Sequence, residues 1–180
     1  MLFRSDEPIV YPPHLTQELD YELELALVLK KSGKHFSAAE ASDYVGGYVI
    51  FNDVTARDIQ RGVMKTGVFS LCIGIDSFCP LGPWIVTPEE LRDPDALELS
   101  LYVNGTRKQH ANTSSMIFPV ARLIAELSKG MTLLPGDVIA TGTPEGVGFA
   151  RNPPEFLADG DVLEVEIEGI GTLRNRVRIE

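Results

Sequence analysis

Hydrophobic and polar residues alternate along several short stretches of this chain, and such alternation is typical of strands that bury one face. Residues 21–29, YELELALVL, begin by alternating and then become apolar throughout, which predicts a strand whose start is half exposed. A second apolar run at residues 48–51, YVIF, predicts another strand, with Asn52 and Asp53 at its end. The run FCPLGPWIV contains two prolines and a glycine and predicts an irregular turn that enters a short strand.

Turn signals follow the later alternating stretches. Residues 97–103, LELSLYV, run into Asn104 and Gly105, the strongest short-range signal for a β-hairpin. Residues 134–148, LPGDVIATGTPEGVG, combine a turn with a strand. Residues 158–177, ADGDVLEVEIEGIGTLRNRV, predict another turn and strand and a hairpin at residues 169–171. The second half of the chain is therefore predicted to be rich in strands joined by tight turns.

Helical spacing is clear in one place only. Residues 118–128, FPVARLIAELS, carry Pro119 near a helix start and apolar residues at intervals of three and four. Ser37 and Glu40 form a capping box that predicts a short helix running toward Tyr44 and ended by the glycines at 46 and 47. Because parallel βαβ winding needs more helices, we predict a mainly β (α+β) fold, a mixed or antiparallel β roll forming one domain over residues 1–180.

Composition narrows the possible partners. The 180 residues are 44% hydrophobic, enough for a substantial core, and carry 26 acidic against 16 basic side chains, for a formal net charge of −10. This charge disfavours nucleic acid and anionic membrane surfaces. The N-terminal residues MLFRSDEPIV do not resemble a signal peptide, so we expect a cytoplasmic protein. Cys72 and Cys79 are too few and too far apart to suggest a zinc or disulfide framework.

Three carboxylates stand out by their spacing. Glu22 and Glu24 lie at i and i+2 on one predicted strand, and Asp53 lies at the end of a later strand. Carboxylates without a neighbouring histidine suit a hard cation such as Mg²⁺, Mn²⁺ or Ca²⁺ better than zinc. Alternating glutamates also mark an ordinary solvated strand face, and the spacing alone leaves both interpretations open.

Other candidate chemistry lies nearby in sequence. Arg57 follows Asp53 in a predicted turn, where it can hold a substrate carboxylate or form a surface ion pair with Asp58 or Glu22. The glycine-rich stretch TGTPEGVG at residues 141–148 can wrap backbone N–H groups around an anion, although many surface loops have similar composition. The chain lacks a G-x-S-x-G motif, which disfavours a serine nucleophile.

Taken in order, the runs LDYELELALVL, YVGGYVIFNDVTARDIQ, DSFCPLGPWIVT, LYVNG, NTSSMIF, LLPGDVIATGTPEGVG and L-x-x-GD-x-x-x-VEIEGIG-x-L-x-N-x-V resemble the fumarylacetoacetate hydrolase family. The resemblance extends from residue 2 to residue 177. It is greatest to the branch of 2-hydroxyhepta-2,4-diene-1,7-dioate isomerases and 2-oxo acid decarboxylases, enzymes of aromatic-compound catabolism. The resemblance implies the mixed β-sandwich roll of the family's C-terminal domain, with a few short helices, assembled as a homodimer.

The same resemblance assigns roles to residues. Glu22, Glu24 and Asp53 match the ligands of a divalent metal, for which Mg²⁺ or Mn²⁺ is expected and Ca²⁺ is a substitute in crystals. Arg57 and Gln60 match a pair that contacts the substrate. Thr143 matches the loop that binds the substrate's acid end. The implied activity is isomerisation, decarboxylation or C–C hydrolysis of 2-oxo or 2-hydroxy-dienoic acids through an enolate that the metal stabilises.

Two departures from the family pattern bear on the catalytic base. The family segment N-Y-x-x-H-x-x-E, whose His and Glu activate a water, has no match here, because His14 and Glu18 have a different spacing. Ile73 occupies the position at which the family usually has a lysine. Hydrolysis needs an activated water and is disfavoured most by these losses. The sequence also leaves open a non-catalytic module that binds metal and acid, or a truncated partner subunit.

Overall fold

The computed structural model describes residues 6–91 and 93–180, which form mainly strands joined by short helices. The strands are β1 Ile9–Tyr11, β2 Leu19–Asp20, β3 Leu23–Leu29, β4 Val45–Asn52, β5 Thr55–Ala56, β6 Leu81–Val86, β7 Glu98–Val103, β8 Thr106–Asn112, β9 Val138–Ala140, β10 Val162–Ile167 and β11 Gly171–Ile179. The α-helices are α1 Arg57–Val63, α2 Ser70–Ile73 and α3 Val120–Gly130. Short 3₁₀ turns cover Ala41–Tyr44, Thr113–Ser115 and Gly148–Ala150.

Two sheets build the fold. The larger sheet has the strand order β1-β11-β10-β7-β8, in which only the β1–β11 pair is parallel. The smaller sheet has the order β6-β4-β3-β9 and is antiparallel throughout, and the short strands β2 and β5 pair separately beside it. This arrangement confirms the predicted β roll with mixed sheets and few helices.

The main core lies between the two sheets, and it explains the sequence pattern of β3. Leu23, Leu25 and Leu27 point into this core, together with side chains from β7, β10 and β11. Because neighbouring side chains on a strand point to opposite faces, Glu24 and Ala26 face the other side of the small sheet. On that side Ala26, Val49 and Phe51 form a second, smaller cluster.

Local predictions hold where the signal lies within a few residues. Asn104 and Gly105 adopt positive φ values of 51° and 75° in the turn between β7 and β8, as a two-residue hairpin requires. Helix α3 begins just after Pro119 and buries Val120 and Ile124 against the core. The hairpin predicted at residues 169–171 is present, with a turn at residues 168–170 that joins β10 to β11. In the described part of the chain, no helix is long and apolar enough to cross a bilayer.

The segment around residues 37–47 differs from its prediction. The Ser37 backbone N–H donates to the Glu40 carboxylate at 2.9 Å, as expected of a capping box, but the helix that follows is a short 3₁₀ turn. Gly46 and Gly47 do not end it, because they belong to β4. A Cβ on Gly47 would lie 2.3 Å from a side-chain carbon of Ile85, so the close approach of strand β6 requires glycine there.

Candidate active site

Strand pairing brings Glu22 and Asp53 together. In the antiparallel pair of β3 and β4, Leu23 lies opposite Asn52, so the residue before one strand meets the residue after the other. The Asp53 N–H donates to the Glu22 carbonyl at 2.9 Å, and the Glu22 N–H donates to the Asn52 side-chain oxygen at 3.0 Å. Glu22 precedes β3 instead of lying within it, and these two bonds hold its backbone in place.

Glu22, Glu24 and Asp53 form an oxygen-donor cluster. One carboxylate oxygen from each lies within 4.8 Å of the other two, although Asp53 comes from a different part of the chain than the two glutamates. Glu24 is only 3% exposed. Carboxylates packed this closely repel one another unless a cation or protons neutralise them. An all-oxygen set of this kind fits a hard divalent cation such as Mg²⁺ or Mn²⁺.

The electrostatics of the cluster also favour a cation. Burial raises the pKa of Glu24 to about 8, and the charges of Asp53 and Glu22 add to that effect. Burial and the Glu22 charge raise the pKa of Asp53 to about 6. Burial likewise raises the pKa of Glu22, although the neighbouring Arg57 acts in the opposite direction. Without a cation, therefore, the buried cluster holds protons at pH values where free carboxylates have lost them.

Arg57 is a buried residue of the site. The sequence suggested a turn and a possible surface ion pair at this position, but Arg57 begins helix α1 and is 2% exposed. Its Nε donates to Asp20 at 2.8 Å, and its Nη2 lies 2.6 Å from a Glu22 carboxylate oxygen. The Phe149 ring lies 4.4 Å from the guanidinium carbon. These partners hold the guanidinium directly beside the carboxylate cluster.

Gln60 lies one helical turn after Arg57 and contacts it. The Arg57 Nη1 donates to the Gln60 side-chain oxygen at 3.1 Å, so the two predicted substrate-contacting side chains form one unit. Asp58 does not pair with Arg57. It accepts hydrogen bonds from the Thr16 hydroxyl at 2.6 Å and from the Gln17 N–H at 2.8 Å.

The glycine-rich loop at residues 141–148 is tied to the carboxylate cluster. The Gly142 N–H donates to Glu24 Oε2 at 2.7 Å, and the Thr141 hydroxyl donates to the Leu25 carbonyl at 2.7 Å. At the other end of the loop, the N–H groups of Gly148 and Phe149 donate to Asp20. The strand segment with the clustered carboxylates and the loop are thus one connected structure.

Thr143 lies one residue beyond the amide that bonds to Glu24. It also lines a cavity of about 640 Å³ whose walls include Leu99, Met116, Ile117 and Phe118. The three clustered carboxylates are not among the residues that line this cavity. Thr143 therefore borders an open space whose wall also includes Gly142, the residue that is hydrogen-bonded to Glu24.

Ile73 ends helix α2, which packs against α1. Burial raises the pKa of the adjacent Cys72 thiol, and the Asp53 carboxylate adds to this shift. Helix α2 also packs against β5, which begins two residues after Asp53. The position at which the family resemblance implies a lysine is therefore occupied by a partly buried apolar side chain on a helix that packs against α1 and β5.

Three polar residues of the site were missed by sequence reasoning. Asp20 lies two residues before Glu22, as Glu22 lies two residues before Glu24. This D-x-E-x-E pattern is a sequence signal that identifies Asp20 as a candidate. Asn52 was noted only as the end of a strand. Gln109 lies in a strand of mostly polar, exposed or partly buried residues and has no local feature that distinguishes it.

Comparison with known proteins shows what the chain is similar to. The family model described as the fumarylacetoacetate hydrolase C-terminal domain matches residues 1–178. The chain is 46% identical over 163 residues to oxaloacetate tautomerase YisK of Bacillus subtilis, covering 91% of this chain and 53% of that protein. It is 44% identical to the mitochondrial oxaloacetate tautomerase Fahd2a of Rattus norvegicus, covering 95% and 54%. The chain spans about half the length of these curated relatives.

Solved structures show the same fold. A fumarylacetoacetate hydrolase from Exiguobacterium antarcticum superposes with a TM-score of 0.95 at 44% identity, covering 99% of this chain and 63% of that one. A 2-hydroxyhepta-2,4-diene-1,7-dioate isomerase from Mycobacterium marinum gives a TM-score of 0.89 at 45% identity, covering 99% and 66%. From its sequence and its fold, this chain belongs to the fumarylacetoacetate hydrolase family.

Proposed function

We propose that this chain catalyses the divalent-metal-dependent isomerisation of a 2-oxo acid, with keto–enol tautomerisation of oxaloacetate as the representative reaction. The observation that carries the proposal is the convergence of Glu22, Glu24 and Asp53 within 4.8 Å beside the buried guanidinium of Arg57. Relatives named as oxaloacetate tautomerases and a structural relative named as a dienedioate isomerase support the reaction class.

The three carboxylates would hold Mg²⁺ or Mn²⁺. When bound, the cation supplies positive charge that stabilises the oxygen of an enolate. The residues around it position the acid: Arg57 and Gln60 act as one unit at the start of α1, and Thr143 offers a hydroxyl from the loop. In a chain of net charge −10, the bound cation would supply the local positive charge for an anionic substrate, while Arg57 offsets the charges of Asp20 and Glu22.

The site favours tautomerisation, with decarboxylation next, over hydrolysis. Enolate chemistry depends mainly on charge stabilisation, whereas hydrolysis also needs a base that activates water. The lysine usual in the family is replaced by the apolar Ile73, which cannot transfer a proton. We further propose that the protein acts as a homodimer, because the family resemblance implies that assembly.

Ile73 also favours a second function, a non-catalytic module that binds metal and acid. Such a module would keep the oxygen cluster and Arg57 but would have no group for proton transfer. It predicts metal-dependent acid binding without turnover, which separates it from the enzyme.

Ultraviolet absorbance of enol-oxaloacetate tests both functions. The metal-free chain is mixed with Mn²⁺ and the enol, and its rate of ketonisation is compared with the rate in buffer containing Mn²⁺ alone. If the chain is an enzyme, we expect the wild type to accelerate ketonisation. The acceleration should be lost in Glu22→Ala and retained in Glu89→Ala, a control at an exposed residue. Equal rates for wild type and Glu22→Ala would reject the enzyme, and oxalate binding without acceleration would support the module.

A further inference from the structure

Gln109 is a fully hydrogen-bonded polar side chain at the edge of the large sheet. It lies on β8 opposite Leu101 and is only 1% exposed, whereas its neighbour His110 is exposed. Its side-chain oxygen accepts the Leu23 N–H at 2.9 Å. Its side-chain nitrogen donates to the Thr143 hydroxyl at 2.9 Å and to the Pro144 carbonyl at 3.0 Å.

We propose that Gln109 is a positioning residue that holds the acid-binding loop, residues 141–148, against the strand segment of the metal ligands. This proposal rests on the proposed function. Leu23 lies between Glu22 and Glu24, so one amide group joins the backbone between two candidate metal ligands to the residue proposed to bind the acid. The pairing of β3 with β9 and the Gly142–Glu24 bond hold the start of the loop, and Gln109 adds a separate link that reaches Thr143 and Pro144.

The direction of the bond at Thr143 has a chemical consequence. A hydroxyl that accepts a hydrogen bond from Gln109 keeps its own hydrogen free to point elsewhere. Thr143 is thereby set to donate, which is what an anionic carboxylate oxygen requires. A glutamine that donated only to the loop backbone would leave this hydroxyl free to rotate.

The packing around Gln109 allows little adjustment. A Cβ on Gly146, whose φ is +104°, would lie 2.5 Å from the Lys108 carbonyl oxygen and 3.2 Å from Gln109 Cγ. Arg151 donates from Nη2 to the same Lys108 carbonyl at 2.5 Å and from Nε to the Tyr21 hydroxyl at 3.1 Å. The loop therefore lies directly against the part of β8 that carries Gln109.

The substitution Gln109→Glu tests the proposal with minimal change in shape. A carboxylate still accepts the Leu23 N–H but cannot donate to Thr143 or Pro144. Gln17→Glu is the matched control, because Gln17 is exposed and the substitution adds the same charge. The measurements are backbone hydrogen exchange of residues 141–148 without ligand, Mn²⁺ affinity, and oxalate affinity in the presence of Mn²⁺.

We expect Gln109→Glu to speed exchange in the loop and to weaken oxalate binding about tenfold, while Mn²⁺ affinity stays within about twofold of wild type. Exchange and oxalate affinity equal to those of Gln17→Glu would overturn the proposal. Equal losses of Mn²⁺ and oxalate affinity would also overturn it, because they indicate general damage to the site.

Two further measurements keep the outcomes distinct. If the wild-type chain with Mn²⁺ does not bind oxalate, the proposed function is wrong, while loop exchange still decides whether Gln109 holds the loop. If Gln109→Glu does not fold, nuclear magnetic resonance of the wild-type chain replaces it. The Gln109 side-chain amide signals must then shift when oxalate binds with Mg²⁺, and unshifted signals would contradict the proposal.

Discussion

Glu24 and Gly142 are joined by a hydrogen bond of 2.7 Å, in which the Gly142 N–H donates to the Glu24 carboxylate. The bond links a candidate metal ligand on β3 to the loop proposed to bind the acid. It also lowers the pKa of Glu24, but burial and the charges of Asp53 and Glu22 outweigh it and raise that pKa to about 8. The metal-free site therefore holds a buried carboxylate in an unfavourable environment, which a cation would relieve.

The first prediction concerns the pH dependence of metal-free stability. Glu24 has a pKa of about 8 in the folded chain against 4.5 ordinarily, and Asp53 about 6 against 3.8. As pH rises through this window, the unfolded chain loses these protons before the folded chain does. The folded state then binds more protons, so the free energy of unfolding falls as pH rises from about 4.5 to 8.

Thermal melting in a chelator at pH 5.5 and pH 8 measures this effect. We expect a lower melting temperature at pH 8 in the wild type and a smaller pH dependence in Glu24→Gln, which cannot ionise. Saturating Mg²⁺ should reduce the loss at pH 8, because the cation binds the ionised form. The same pH dependence in wild type and Glu24→Gln would contradict the prediction.

The second prediction concerns Asp20→Asn. One Asp20 oxygen accepts hydrogen bonds from both Arg57 Nε and the Phe149 N–H, and the other accepts from the Tyr21 and Gly148 N–H groups. The asparagine amide has only one acceptor oxygen, so its NH₂ group would point toward two of the four groups that donate to Asp20. We expect a loss of about 3 kcal/mol in the free energy of unfolding, measured in urea, because Arg57 loses a buried partner.

Asp58→Asn is the control for that measurement. Asp58 also accepts several hydrogen bonds, but it is partly exposed and does not contact Arg57. We expect it to cost about 1 kcal/mol. Equal losses for the two variants would show that the buried ion pair has no special role.

The third prediction concerns Ile73→Lys. Ile73 ends helix α2, which packs against α1 and β5, the two elements that follow Asp53, and the family resemblance implies an amine at this position. General acid–base groups contribute about a hundredfold or more to a rate, so we expect an increase in kcat of about that size. Ile73→Met has a similar size and no charge, and it should leave the rate unchanged. An increase no greater in the lysine variant than in the methionine variant would show that Ile73 is not a position for proton transfer.

The sequence predicted the parts of the fold whose cause is local. The hairpin at Asn104 and Gly105 follows from the backbone angles that those residues allow. Helix α3 follows from its apolar spacing. Helix α1 was missed because it is only seven residues long and buries a charged residue, Arg57, which is stabilised by Asp20 from a distant strand. Its formation depends on tertiary contacts that no local pattern reveals.

As with the fold, the sequence predicted only those features of the candidate site that have a local cause. The spacing of Glu22 and Glu24 follows from strand geometry, but their approach to Asp53 depends on the register of β3 and β4, in which Leu23 pairs with Asn52, more than twenty residues away in sequence. Gln109 depends on a still longer connection, from β8 to the loop at residue 143. Non-local pairing therefore determines which polar side chains meet.

The central claim is that Glu22, Glu24 and Asp53 hold one divalent cation that the reaction needs. The most direct test is a calorimetric titration of the metal-free chain with Mn²⁺. The rate of oxaloacetate ketonisation is measured in the same samples. The account predicts one Mn²⁺ per chain, a rate that rises in proportion to bound metal, and loss of both in Glu24→Gln. Full ketonisation activity in the metal-free chain, or unchanged Mn²⁺ binding in Glu24→Gln, would contradict it.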